Sequence, residues 1–113
     1  MLYKDILNLI TFADGLILYI EKQFKNREST FGDIMYLIYI ERIFDTKGRS
    51  LYFDQEGFDI TEDQRREMKK QVTESMDRIR QVIPNFIDLY GRDEFKREYK
   101  SLHSRYAEEW VGR

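Results

Sequence analysis

With 113 residues and no cysteine, the chain has room for one hydrophobic core, and neither disulfides, thiolate metal sites nor thiol nucleophiles can belong to it. Nineteen Lys and Arg stand against 21 Asp and Glu, a near balance that gives no global field for attracting DNA or anionic lipid. One proline and six glycines argue against a turn-rich β architecture, so the expectation is a single all-α domain covering residues 1–113.

The opening residues, Met1-Leu2-Tyr3-Lys4-Asp5, place an acid where a signal peptide keeps basic charge. The apolar run Leu16-Ile17-Leu18-Tyr19-Ile20 is far shorter than the ~20 residues that span a bilayer. These features predict a soluble cytoplasmic protein with no membrane segment. In the same region Leu2, Ile6, Leu9, Ala13, Leu16 and Ile20 recur at spacings of four and three. Tyr3, Ile10, Ile17 and Phe24 add a second row, while Lys4, Asn8, Thr11, Gly15, Lys22 and Lys25 gather opposite. That is the pattern of an amphipathic helix over residues 2–25, with Asp14-Gly15 as the one pair able to break it.

Thr30 and Asp33 stand three apart ahead of an apolar run, so a capping box is predicted to open the second helix at Thr30. From there to Asp45 the run Ile34-Met35-Tyr36-Leu37-Ile38-Tyr39-Ile40 is apolar all round. Its β-branched and aromatic content also suits a buried strand; the cap, the length and the flanking Glu41-Arg42 favour helix. A helix apolar on every side exceeds what one small bundle covers, which predicts a homodimer or a bound partner at Ile34–Phe44.

Residues 46–60 break the helical period. Lys47-Gly48-Arg49 and Glu56-Gly57 bracket Leu51-Tyr52-Phe53, which fits either a short hairpin or an ordered loop between helices 2 and 3. Thr61-Glu62-Asp63-Gln64 then reads as a second capping box. The third helix carries Met68, Val72, Met76, Ile79, Ile83 and Phe86 on one face and Arg65, Arg66, Lys69, Lys70, Glu74, Asp77 and Arg78 on the other. Pro84 should kink or restart it, and Gly91 should end it. A last amphipathic segment from about Asp93 to Trp110 carries Phe95, Tyr99, Leu102, Tyr106 and Trp110. Four such stripes bury one another best as an antiparallel four-helix bundle.

Few residues suggest chemistry. The segment Arg97-Glu98-Tyr99-Lys100-Ser101-Leu102-His103 is similar to the arginine–histidine motif of HEPN-fold ribonucleases, small helical domains that pair two such motifs in a dimer. The resemblance covers seven residues and implies His103 as general acid or base and Arg97 as a phosphate ligand. Six residues along one helix, however, separate the two side chains by about 120°, and no catalytic residue is assigned. Asp45 and Glu56 occupy the first and twelfth positions of a calcium loop, but Lys47 and Arg49 stand where ligands should be. No Gly-rich phosphate loop and no Glu-x-x-His pair occurs either, so neither metal nor cofactor is expected.

Gly48-Arg49-Ser50-Leu51-Tyr52-Phe53, with Glu56-Gly57 and a long charged helix, resembles the wing and dimerisation helix of PadR-type winged-helix repressors. Over some thirty residues that resemblance implies a basic recognition helix before the wing. Here the position holds Ile34–Phe44 with Arg42 as its one basic residue, which argues against nucleic acid as a partner. Charge distribution is more informative. Between residues 45 and 63, Asp45, Asp54, Glu56, Asp59, Glu62 and Asp63 face only Lys47 and Arg49. Acids interleaved with aromatics suit a basic surface on another protein, charge guiding the encounter and rings anchoring it. Tyr52, Phe53, Asp54, Glu56, Phe58 and Asp59 are therefore the expected partner-binding residues. The expected function is a non-enzymatic protein–protein interaction module, a small helical binder, inhibitor or regulator comparable to immunity proteins and phage-encoded nuclease inhibitors.

Overall fold

Apolar side chains repeated at helical spacing can leave water only by packing helix on helix, and that is the arrangement found. A computed structural model describes residues 3–47 and 61–100. Among these, four helices and no strand occur: α1 (Tyr3–Gln23), α2 (Arg27–Lys47), α3 (Glu62–Tyr90) and α4 (Arg92–Lys100). The hairpin or loop expected at 46–60 falls almost wholly outside the described residues, as does the last helix beyond Lys100.

α1 runs unbroken through Asp14-Gly15. Ile6, Ala13, Leu16 and Ile20 from one predicted row and Ile10 and Ile17 from the other are buried together. Core contacts on both sides of Gly15 hold the helix together against the ~1 kcal/mol that a helical glycine costs. Asp14 does not turn the chain; it pairs with Arg78 of α3 at 3.1 Å.

α2 begins a turn earlier than the capping pattern suggests. Thr30 is buried inside the helix, and its hydroxyl donates to the carbonyls of Asn26, at 2.8 Å, and Gln23, at 3.1 Å. The Thr30 N–H also donates to the Asn26 carbonyl, so Thr30 lies within the helix and is not its cap, and Asp33 is left with a buried carboxylate oxygen that has no hydrogen-bond partner. Burial pushes its carboxyl above the ordinary value of 3.8.

The Thr61 box forms as predicted. The Gln64 N–H donates to the Thr61 hydroxyl at 3.1 Å, and the Thr61 N–H donates to the Gln64 side chain at 2.9 Å. All six residues of the predicted α3 stripe are buried. Pro84 does not restart the helix, which continues to Tyr90. A proline in a helix interior costs about 3 kcal/mol. Ile79, Ile83, Phe86, Ile87 and Tyr90 are buried around it, and each such side chain is worth about 1.5–3 kcal/mol. Gly91, at φ 114°, then ends the helix with its N–H on the Ile87 carbonyl.

Contacts fix the register. Thr30 meets Gln23 and Tyr36 meets Phe12, so α2 runs back along α1. Phe31 meets Tyr90 and Glu41 meets Arg80, so α3 runs back along α2. The three helices share one core, in which Ala13, Ile20, Ile34, Leu37, Ile40, Ile79, Ile83 and Ile87 have no exposed surface. α4 packs against the end of α3. There Phe95 sits edge-on to Phe31 and Tyr90, and the Tyr90 hydroxyl donates to Glu98 at 2.7 Å.

Candidate functional site

Helical geometry divides α2 into two faces. Ile34, Leu37, Ile38, Ile40 and Phe44 enter the core of their own chain. What remains outside is Tyr36, 50 % exposed, and Tyr39, 63 % exposed, with Gly32 one turn before them. Beside them, α1 presents Phe12, 50 % exposed, and Tyr19, 46 % exposed. Rings link the two helices: Phe12 lies 5.4 Å from Tyr36, and Tyr36 lies 6.5 Å from Tyr39.

This face differs from the rest of the described surface in charge. Between Asp5 and Glu21, the one ionisable acid or base of α1 is Asp14, and it is bound to Arg78 on the side facing α3. Glu41 of α2 is buried, with its carboxylate on Arg80 at 2.6 Å, and Arg80 also reaches Asp45 at 3.3 Å. Asp14 and Glu41 are thus drawn sideways or inward into ion pairs, while Asp33 beside Gly32 is half-buried and the exposed Lys22 borders the face one turn beyond Tyr19. By contrast, the exposed side of α3 mixes both signs, with Glu62, Asp63, Arg66, Glu67, Lys70, Glu74 and Asp77. No single-sign basic stripe of the kind that tracks phosphates runs along it.

Two glycines lie within the aromatic face. Gly15 falls three residues after Phe12 and four before Tyr19, and Gly32 falls four before Tyr36. A Cβ built on either would have no heavy atom within 4 Å. Neither has positive φ, so neither the backbone nor the packing within this chain calls for glycine there.

The other candidates fare as follows. Tyr52, Phe53, Asp54, Glu56, Phe58 and Asp59 lie outside the described residues, as does His103. Arg97 is exposed on α4. Among the described residues, no group of three or more His, Asp or Glu is placed to hold a metal ion. No described helix is long and apolar enough to cross a membrane. A shallow depression between α1 and α3 is lined by Asp14, Ile17, Leu18 and Arg78, and its two polar groups are already joined to each other.

Phe12 and Tyr19 belong to neither core row of α1, so helical periodicity does not mark them. The available signal was an aromatic pair seven residues apart in the otherwise polar sector of that helix. Compared with known proteins, the chain matches no family model, no curated protein and no solved structure.

Proposed function

We propose that this chain is a non-enzymatic protein–protein interaction module, a small helical binder, inhibitor or regulator that acts by docking other polypeptides. The observation that carries this reading is the uncharged aromatic face formed by Phe12, Tyr19, Tyr36 and Tyr39 beside a core that is already filled. Half-exposed rings give up apolar area on contact without the cost of stripping water from a charge, and tyrosines are frequent energetic anchors of interfaces. The acidic aromatic stretch with Tyr52, Phe53, Asp54, Glu56, Phe58 and Asp59 enters the proposal as a second contact, steering a basic protein surface by charge.

Site-specific photocross-linking tests the first contact. A photoreactive phenylalanine at position 39 is expected to join a polypeptide inside the producing cell, whereas the same group at position 74, on the charged side of α3, is not. Tyr36→Ala in the same chain should suppress the adduct. An adduct pattern equal at both positions would remove the aromatic face from the proposal.

A further inference from the structure

Resting on the reading of this face as the interaction surface, we infer that its occupant is a second copy of the same chain, docked about a twofold axis. Three observations lead there.

The first is electrostatic. Each copy carries a net charge of −2, so like faces meet without repulsion only where the charges lie elsewhere. The middle of the α1–α2 face meets that condition. Between the four rings a partner recognised by charge finds nothing to read, whereas an identical ring face matches it there, with Lys22 and Asp33 at the borders of the contact. The second is shape. A twofold contact must be complementary to itself, with knobs and hollows on one patch. Phe12, Tyr19, Tyr36 and Tyr39 are the knobs. Gly15 and Gly32, open to solvent and unexplained by their own chain, are the hollows. Rings of one copy seated over the glycines of the other make use of two residues that otherwise only weaken their helices.

The third is area. An aromatic side chain offers about 150–250 Å², so four half-exposed rings contribute roughly 300–500 Å² per copy. Doubled across the axis, and joined by the helix surface around Gly15, Gly32 and the half-buried Ile43, this reaches the ~1,000 Å² at which specific interfaces begin. The expected dimer is therefore a modest one that dissociates on dilution.

Sedimentation equilibrium of the full chain over a dilution series is the test, with a Gly15→Leu/Gly32→Leu double variant beside the wild type. Leucine is the better helix former and meets open space in the monomer, so the variant should fold at least as well by circular dichroism. It should weaken self-association by about thirtyfold or more, the scale of a hot-spot loss. Tyr39→Ala should weaken it in the same direction. Wild type that stays monomeric throughout, or a Leu variant that dimerises as well as wild type, overturns the second copy as occupant. Cross-links from position 39 separate the two levels of the argument. With a monomeric wild type, an adduct to a different protein that the Leu variant loses would leave the face an interaction surface for that protein. No adduct at all would end both readings.

Discussion

Glu41 has only 5 % of its surface in water, and its carboxylate is held by the Arg80 guanidinium, which also reaches Asp45 and so ties α3 to α2 at two points. Truncating Arg80 leaves that carboxylate buried without a counter-charge. Removal of one partner from a fully buried pair costs about 3–5 kcal/mol. Arg80 is about one-third exposed, so Arg80→Met should cost about 2–3 kcal/mol in chemical denaturation. Adding Glu41→Gln should recover part of the loss. Asp33 behaves in the opposite sense. Its folded carboxyl holds its proton more tightly than the unfolded one, so the native state binds more protons above pH 3.8 and loses stability as pH rises through that window. Asp33→Asn should therefore raise the melting temperature at pH 7 and change it little near pH 3. Calorimetry at the two pH values checks this. Neither feature was legible in the sequence. Arg80 and Glu41 are 39 positions apart, and nothing local marks which of many charges will be brought together.

At the scale of helices, local signals were readable where their partners were also local. Thr61 and Gln64 meet within one turn, and their reciprocal box forms. Thr61→Ala should lower stability by about 1 kcal/mol, measurable in thermal denaturation. Thr30 and Asp33 show a similar pattern, but the tight link after α1 places the Gln23 and Asn26 carbonyls within reach of the Thr30 hydroxyl. With the Thr30 N–H also on the Asn26 carbonyl, the helix extends back past Thr30, and α2 starts at Arg27. Tertiary burial likewise overrides the break suggested at Asp14-Gly15 and the restart suggested at Pro84. The apolar rows of α1 and α3 were legible because a period near 3.6 survives any detail of packing. The split of α2 into a core face and an aromatic face was not, since every residue from Ile34 to Ile40 is apolar or aromatic.

For the whole molecule, the all-α class followed from composition and period, whereas the candidate site was legible only in part. Tyr36 and Tyr39 lay inside the stretch flagged for contact with a second chain, but their α1 counterparts emerge only from the folding of α1 against α2. The acidic stretch makes its own prediction. Asp54→Lys/Glu56→Lys/Asp59→Lys should slow association with a basic partner by on the order of tenfold or more. Salt should reproduce the effect in wild type, because exposed charges are screened over about 8–10 Å near physiological ionic strength. Stopped-flow kinetics at two salt concentrations would show both effects. Equal rates for variant and wild type would confine recognition to the helices.

The three-residue connection between α1 and α2, latched by Thr30, also sets an order of events during synthesis. All contacts between these two helices join residues within the first 47 positions, so the helical hairpin can close while α3 is still inside the ribosome. A hairpin closed at that stage would already be able to make the Phe12–Tyr36 contact. The opposite side, with Ile34, Leu37, Ile38 and Phe44, waits for α3 to cover it. A translation pause in that interval would leave a hairpin apolar on two sides, a species suited to chaperone capture or to pairing with the chain emerging from the next ribosome on the same message.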